Sequence, residues 1–226
     1  MLQATFISVL VISYLLGSIP FGLLITRRRA KVDIRNLGSG KTGATNVLRT
    51  LGVKAAALVA ALDLLKGMLA VVLAGLIFRQ DELLMVGNFA FGTLVAQVMA
   101  ALAAVAGHNW PIFYRFKGGR GVATYFGGLV ALYPPAALFG GEILIVSAGL
   151  TRYASLGSIV GAVGSATILV PLTVVHGFPA EYLGYAYIGG AVVIVMHKDN
   201  IVRLWKGKER KLGEKAKAKD SLPAEK

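Results

Sequence analysis

The sequence contains no cysteine and few charged residues, and each absence narrows its possible functions. Without cysteine the chain has no disulfide, no thiol nucleophile and no cysteine-based zinc site. Charged residues make up only 15% of the 226 residues, whereas a typical soluble domain has about 25%. Hydrophobic residues account for 56% and are gathered in long runs. This composition is typical of an integral membrane protein.

The first apolar run covers residues 2–25 and is longer than the ~20 residues that a helix needs to span a bilayer. A cleavable signal peptide has its basic residues before a shorter apolar core. Here the basic residues follow the run instead. We therefore expect this segment to be retained as the first membrane span.

The distribution of positive charge predicts the topology. The chain carries 24 Lys and Arg and a formal net charge of +13. The basic residues that directly follow the first run are Arg27, Arg28, Arg29, Lys31 and Arg35. Because basic loops stay in the cytoplasm, we expect the N-terminus outside. Apolar segments near 55–78 and 83–107, joined by a turn at 79–82, then return residues 108–120 to the cytoplasm.

The apolar segment 122–150 is interrupted by Pro134 and Pro135, residues that break helices. If it formed one helix, the tail after Met196, which carries ten Lys and Arg, would lie outside. We therefore predict two short helices here. Each has about 14 residues and reaches only ~21 Å, against a hydrocarbon core of ~30 Å.

Spans near 157–175 and 180–196 complete the fold prediction: an all-α, polytopic membrane protein with seven transmembrane helices, its N-terminus outside and its C-terminus inside. Only Arg79 of the 24 basic residues would then lie outside. Residues 1–206 form a single transmembrane domain. Residues 207–226 lack an apolar face, and we expect them to form a basic, polar, solvated cytoplasmic tail without a catalytic role.

This topology brings four polar clusters to the cytoplasmic face: residues 36–49, 108–120, 152–158 and 197–203. Positive charge in these places indicates membrane topology rather than a nucleic-acid surface. Glycine-rich basic loops also offer backbone N–H groups and positive charge to anions. Together the clusters predict an anion-binding site on one side of the membrane.

In the first cluster, Gly40-Lys41-Thr42 matches the end of a nucleotide-binding P-loop. However, Arg35 stands where a P-loop needs glycine, and the stretch follows a transmembrane helix rather than a buried strand. We interpret it as a glycine-rich anion cradle in which Arg49 binds phosphate bidentately. The hydrogen-bond donors expected beside it are Ser39, Thr45 and Asn46. The alternative, a tight reversal between two helices, explains the glycines but not Arg49.

The second cluster contains Lys117-Gly118-Gly119-Arg120-Gly121, in which three glycines let the backbone approach a ligand between two cations. We interpret it as a stronger candidate for phosphate binding than the first cluster. Ordinary positive-inside topology is the alternative, which explains the cations but not the spacing of the glycines.

A histidine that acts as a general base is often held by an aspartate five positions later in the chain. Phe113 and Val202 stand five positions after His108 and His197, and the third histidine, His176, is expected outside. The sequence therefore contains no such base on the cytoplasmic side.

Several other polar residues fall at or within apolar segments. Asp63 and Lys66 share a helix face, which favours a structural ion pair or a supporting layer behind the site. For His108 two interpretations stay open: a helix-end residue that satisfies backbone groups, or a ligand contact. The same two are open for His197, where Asn200, one helical turn later, favours a ligand contact.

The stretches that carry a family resemblance are residues 14–22, 38–49, 63–67, 107–111, 116–124, 153–158 and 197–203. Jointly they resemble the bacterial acyl-phosphate:glycerol-3-phosphate acyltransferases, commonly called PlsY. The resemblance extends over nearly the whole chain except the tail.

This resemblance implies transfer of a fatty acyl group from acyl phosphate to the sn-1 hydroxyl of glycerol 3-phosphate, giving lysophosphatidic acid for phospholipid synthesis. It also implies a multi-pass protein of the bacterial inner membrane with its active site on the cytoplasmic side. The residues expected to be catalytic are Ser39, Arg49, Arg120, His197 and Asn200. Those expected to bind substrate and phosphate are Gly38, Gly40, Thr45, Asn46, Lys117, Gly118, Gly119, Gly121 and Ser155.

Two positions depart from the family pattern. Lys41 stands where the family commonly has Asn, and Arg120 stands where it often has Lys, which exchanges a point charge for a planar fork. No cofactor and no metal are expected. The expected partners are glycerol 3-phosphate, acyl phosphate and membrane lipid, with no nucleic acid and no obligate protein partner.

Because no histidine–aspartate base is present, we expect catalysis by positioning and charge. The basic loops would hold two phosphates together, and the hydroxyl proton would leave through a substrate phosphate oxygen. The alternative function is a membrane transporter of a phosphorylated metabolite, although transporters bind near the bilayer midplane, often between repeated halves. A non-catalytic membrane scaffold, the third interpretation, would tolerate alanine at Ser39 and Arg120.

Overall fold

The structure, a computed structural model, describes residues 2–78, 84–86 and 89–216, and this part of the chain is mostly helical. The α-helices are α1 (Leu2–Gly17), α2 (Phe21–Ala30), α3 (Ala44–Leu51), α4 (Val53–Ile77), α5 (Thr93–Asn109), α6 (Val122–Leu132), α7 (Pro134–Thr151), α8 (Ala154–His176), α9 (Ala180–Met196) and α10 (Lys198–Trp205). The other elements are two 3-10 turns, Ile34–Asn36 and Ile112–Tyr114, and the strands β1 (Leu84–Val86) and β2 (Phe89–Phe91). The strands pair antiparallel, with Leu84 opposite Phe91. The predicted helical class is confirmed.

Four helical segments of the described chain are long and apolar enough to cross a membrane: Leu2–Ala30, Val53–Ile77, Pro134–Thr151 and Ala154–His176. The helices α6 and α9 are apolar but shorter, with 11 and 17 residues. These lengths support a polytopic membrane protein. The count of seven spans and the orientation of the termini stay predictions.

The predicted first span is present but consists of two helices. It is divided between Gly17 and Phe21, so that α1 and α2 are separate helices. Pro20 lies at the break, because proline has no N–H to donate to the preceding turn. The Lys66 ammonium donates a hydrogen bond of 2.9 Å to the Ile19 carbonyl. The carbonyl at the break thus has a side-chain donor inside the bundle.

The predicted span at 83–107 was wrong in its first part, because α5 begins only at Thr93. The residues before it pair as the β1–β2 hairpin. A short apolar run does not by itself distinguish a strand from a helix, and aromatic and β-branched residues favour strands. The predicted turn at 79–82 and residue Arg79 lie outside the described residues.

The predicted division at the paired prolines is confirmed. Helix α6 ends at Leu132, and α7 begins at Pro134. Proline is well tolerated in the first turn of a helix, where its missing N–H would have no partner. Helix α7 is longer than predicted, with 18 residues, whereas α6 is shorter.

A buried polar and aromatic core joins α6, α8 and α9. The Tyr125 and Tyr185 rings stack with centroids 5.5 Å apart, and the Tyr185 hydroxyl donates to the Tyr125 carbonyl at 3.0 Å. The Tyr125 and Ser165 hydroxyls share a hydrogen bond of 2.7 Å. Because α6 starts directly after the glycine-rich loop 117–121, this core fixes the helix that supports the candidate site.

Candidate active site

A cavity of about 290 Å³ lies where the four predicted polar clusters meet at one end of the bundle. The predicted site residues that line it are Ser39, Thr45, Asn46, Arg49, Arg120, Gly121, Ser155, His197 and Asn200. Its apolar lining includes Ala60, Val122, Ala123, Phe126 and Leu144. The predicted convergence of the clusters is therefore what the structure shows.

The first loop is organised by the side chain of Asn46. The Asn46 Oδ1 accepts a hydrogen bond from the Ser39 N–H at 3.2 Å, and its Nδ2 contacts the carbonyls of Leu37 and Lys41 at 3.0 Å each. Only 2% of Asn46 is exposed. Because its amide is engaged with the backbone, Asn46 holds the cradle in shape, a role different from the predicted donation to phosphate.

Two guanidinium groups reach the cavity, one from a helix and one from a loop. Arg49 lies in the last turn of α3, and Arg120 directly precedes Gly121, which begins the approach to α6. The Nε atoms of Arg49 and Arg120 are buried and have no hydrogen-bond partner among the described residues. A buried unpaired cationic donor is costly. An anion between the two arginines would satisfy both.

Burial and the neighbouring charges tune both arginines. Burial, followed by the positive charge of Arg203, lowers the pKa of Arg120 to about 10. Burial, followed by the charge of Arg210, also lowers the pKa of Arg49. Arg120 remains charged at neutral pH, and the mutual repulsion of these cations favours an anion in the cavity.

His197 lies between α9 and α10 with 2% of its surface exposed. Its Nδ1 is 2.7 Å from the Val193 carbonyl oxygen, and because a carbonyl only accepts, Nδ1 carries the hydrogen. Burial and the charge of Arg120 lower the pKa of His197 to about 4. At neutral pH the ring is therefore uncharged, and its Nε2 is a hydrogen-bond acceptor.

Glu209 is a site residue that the sequence did not indicate. Its Oε1 accepts hydrogen bonds from Asn200 Nδ2 at 2.7 Å and from the Ser155 hydroxyl at 3.0 Å. Its Oε2 accepts from Arg203 Nε at 2.8 Å. Because a carboxylate only accepts, Asn200 turns its nitrogen to Glu209, and the buried Asn200 Oδ1 has no partner in the described chain.

The first part of the tail contacts the site instead of lying in solvent as expected. The Arg49 Nη2 donates to the Arg210 carbonyl at 3.1 Å, and the Ala216 N–H donates to the Arg49 carbonyl at 3.0 Å. Glu209 is only 8% exposed. The sequence signal for this role of Glu209 was its position as an acid between basic residues. Residues 217–226 of the predicted tail lie outside the described residues.

Five predicted binding residues do not line the cavity: Gly38, Gly40, Lys117, Gly118 and Gly119. Gly38 and Gly40 have positive φ, 55° and 68°, and shape the turn of the cradle. Lys117 is exposed. The Gly118 and Gly119 N–H groups donate to the α5 carbonyls of Asn109 and His108 at 3.2 and 3.0 Å. These amides are therefore not available to an anion, contrary to the prediction.

The predicted ion pair between Asp63 and Lys66 is confirmed, with Lys66 Nζ 2.8 Å from Asp63 Oδ1. The same carboxylate oxygen lies 3.4 Å from His108 Nδ1. Asp63 and His108 form part of the cavity wall. Within the described residues, no group of three or more His, Asp or Glu side chains is arranged to hold a metal ion.

Comparison with known proteins matches this architecture to one family. A family model described as glycerol-3-phosphate acyltransferase matches residues 7–207. Glycerol-3-phosphate acyltransferase 3 of Dehalococcoides mccartyi strain CBDB1 is 59% identical over 96% of this chain and 100% of its own length. The glycerol-3-phosphate acyltransferase of Halalkalibacterium halodurans is 44% identical over 90% of this chain and 93% of its own.

Two solved structures show the same fold. The crystal structure of PlsY, an integral membrane glycerol 3-phosphate acyltransferase, in its glycerol 3-phosphate form has a TM-score of 0.80 and 37% identity, covering 92% of this chain and 96% of that one. Its lysophosphatidic acid form has a TM-score of 0.77 and 36% identity, with coverage of 93% and 96%. The chain therefore belongs to the glycerol-3-phosphate acyltransferase family, of the PlsY type.

Proposed function

We propose that the protein transfers a fatty acyl group from an acyl phosphate to the sn-1 hydroxyl of glycerol 3-phosphate, releasing lysophosphatidic acid and inorganic phosphate. The observation that carries the proposal is the pair of half-buried arginines at one cavity, Arg49 and Arg120, whose buried Nε groups have no hydrogen-bond partner in the described part of the chain. Family membership and the ligands named for the solved PlsY structures support the acceptor and the product.

The two arginines would hold the two substrate phosphates. Guanidinium groups bind phosphate oxygens through paired, charge-assisted hydrogen bonds. The hydroxyls of Ser39 and Thr45, which line the same side of the cavity, add neutral donors. Holding two anions together also offsets their repulsion, which brings the hydroxyl and the acyl carbonyl to attack distance.

Two acceptor atoms fit the glycerol hydroxyls better than a phosphate. The His197 Nε2 and the Asn200 Oδ1 both accept hydrogen bonds, as their contacts with Val193 and Glu209 require. A phosphate oxygen needs a donor, whereas a hydroxyl can donate to either atom. We therefore assign His197 and Asn200 to the hydroxyls of glycerol 3-phosphate, and Arg49 and Arg120 to the phosphates.

In the proposed reaction the sn-1 oxygen attacks the acyl carbonyl carbon, and the bond between that carbon and the phosphate oxygen breaks. The hydroxyl proton passes to a substrate phosphate oxygen. His197 is a weak base near neutrality, because its pKa is about 4. Phosphate is already a good leaving group, so positioning and charge supply most of what the reaction needs. The apolar wall at Val122, Phe126 and Leu144 would hold the acyl chain.

The test uses full-length protein in lipid vesicles with glycerol 3-phosphate and either palmitoyl phosphate or palmitoyl-CoA. We expect lysophosphatidic acid with palmitoyl phosphate and none with palmitoyl-CoA, and we expect the acyl group at sn-1. No product from either donor would contradict the enzyme proposal. Product from the CoA ester alone would contradict the donor, and acylation at sn-2 would contradict the regiochemistry. The Arg49→Ala variant measures background in the same vesicles.

We further propose seven membrane spans in the bacterial inner membrane, with the N-terminus outside and the cavity facing the cytoplasm. The uneven distribution of the 24 Lys and Arg supports this orientation.

A further inference from the structure

Three buried ionisable residues beside the cavity have no part in the acyl transfer proposed above. Lys66, Asp63 and His108 are exposed by only 1%, 2% and 7%. Ionisable groups enclosed by apolar helices are expensive and are retained where they have a task. Their contacts indicate what that task is.

The three residues link separate elements of the bundle. The Lys66 ammonium contacts Asp63 Oδ1 at 2.8 Å and the Ile19 carbonyl, at the break between α1 and α2, at 2.9 Å. The Asp63 carboxylate in turn lies 3.4 Å from His108 Nδ1, at the end of α5. The orientation of the His108 ring is therefore tied to α4 and to the α1–α2 break.

The opposite edge of the same ring contacts the glycine-rich loop. A Cβ placed on Gly119 would lie only 2.0 Å from His108 Nε2, so the ring and the glycine are in close contact. The Gly119 N–H also donates to the His108 carbonyl at 3.0 Å. The next residue along the chain is Arg120, whose guanidinium reaches the cavity.

We infer that His108, held by Asp63 and Lys66, is a positioning residue that fixes Gly119 and thereby aims Arg120 at the phosphate of glycerol 3-phosphate. The inference rests on the proposed function for the identity of that phosphate. A charged donor that is held rigidly in place binds a phosphate more tightly, because less conformational freedom is lost on binding. A displacement of about 1 Å in such a group costs up to ~100-fold in rate or affinity.

The His108→Asn variant tests the contacts of the two edges of the ring separately. The asparagine nitrogen takes the position of Nδ1 near Asp63, but nothing replaces the edge that contacts Gly119. In vesicles supplied with palmitoyl phosphate, we expect the KM for glycerol 3-phosphate to rise by about tenfold while kcat changes less than about twofold. The pH–rate profile keeps its shape. We expect Asp63→Asn to raise KM in the same way with little change in kcat. The double variant should have the KM of the more affected single variant, because both substitutions act through one contact.

The matched control is Tyr14→Phe. It removes a hydrogen bond of 2.7 Å from the Tyr14 hydroxyl to the Trp110 carbonyl, at the same end of α5. It touches neither Gly119 nor Arg120. We expect kcat and KM to stay at the wild-type values.

Two results would overturn the inference. A fall in kcat with loss of one limb of the pH–rate profile would make His108 a proton acceptor. Unchanged kcat and KM with a lowered Tm would make it structural only. Should Asp63→Asn fail to fold, Gly119→Ala tests the contact directly. We expect His108→Ala to restore part of the glycerol 3-phosphate affinity that Gly119→Ala removes, and an equal loss in both backgrounds would contradict the contact.

Calorimetric binding of glycerol 3-phosphate to the same proteins separates this inference from the proposed function. If the wild type binds glycerol 3-phosphate without turnover, the proposed acyl transfer is contradicted but the positioning role is not. The positioning role is then tested by comparing the Kd of the wild type with that of His108→Asn. An equal Kd for the wild type and His108→Asn contradicts positioning alone. No binding by the wild type contradicts both.

Discussion

Lys117 and Arg120 belong to one loop, and their sequence pattern assigned both to phosphate. Their surroundings differ, because Lys117 is exposed whereas Arg120 lines the cavity. Gly118 and Gly119 lie between the two residues, and their amides donate hydrogen bonds to carbonyls at the end of α5. The chain therefore changes direction between Lys117 and Arg120. At the scale of single residues, the position of the side chain relative to the cavity decides its role.

Alanine at these two positions therefore has unequal effects. For Arg120→Ala we expect kcat/KM with glycerol 3-phosphate to fall by about 100-fold or more, because a charged donor to the substrate phosphate is lost. For Lys117→Ala we expect a change of less than about twofold, as for an exposed charge. Initial rates in vesicles measure both. A comparable loss in the two variants would restore the sequence-based assignment of Lys117.

The neutral His197 predicts a pH-dependent stability. Its pKa is about 4 in the folded protein and about 6.5 in the unfolded chain. Between these values the unfolded state binds a proton that the folded state does not. Stability is therefore fully present above pH 6.5 and is lost as the pH falls towards 4, by on the order of 3 kcal/mol.

The measurement is the Tm of the purified protein in detergent between pH 7 and pH 4, compared with His197→Gln. We expect the wild-type Tm to decrease more steeply, because glutamine does not titrate. The other acids contribute equally to both proteins and cancel in the difference. Parallel curves would contradict the lowered pKa.

At the scale of elements, the start of the tail and α10 act as one unit around Glu209. This carboxylate accepts from Asn200, Ser155 and Arg203 and so joins α8, α10 and the tail. The tail also binds Arg49 through its backbone. The segment after α10 is thus part of the site wall and sets the orientation of the Asn200 amide.

Glu209→Ala removes the acceptor for three donors at once. We expect the free energy of unfolding to fall by about 2 kcal/mol, because buried donors are left unpaired. We also expect the KM for glycerol 3-phosphate to rise, because the Asn200 amide loses its fixed orientation. Denaturation in mixed detergent and initial rates measure the two effects. Glu214→Ala, an exposed acid of the same segment, serves as the control, and equal effects in the two variants would contradict this role of Glu209.

At the scale of the whole molecule, the absence of cysteine makes the topology directly testable. Single cysteines at Arg28 and Lys206, both exposed, are expected to face the cytoplasm. We predict no labelling by a membrane-impermeant maleimide in intact spheroplasts and full labelling after permeabilisation. A cysteine at Arg79 is expected to react in intact spheroplasts. The reverse pattern would invert the proposed orientation.

The apolar spans, the uneven distribution of basic residues along the chain and the four polar clusters follow from the sequence alone. Hydrophobicity and charge are properties of local stretches, and the bilayer responds to each stretch by itself. The division at Pro134 was predictable for the same reason, since proline breaks a helix through its own backbone. By contrast, strand and helix look alike in a short apolar run, which is why the beginning of the predicted span at 83–107 was wrong.

Only the tertiary structure decided which donors meet an anion. It engaged the amide of Asn46 and the backbone of Gly119 elsewhere, and it placed Glu209 against Ser155, 54 residues away in the chain. It also joined Asp63 to His108 across two helices. Such contacts depend on how close-packed helices exclude water and orient one another. No local stretch of sequence contains that information, because each partner is defined by the packing of the other.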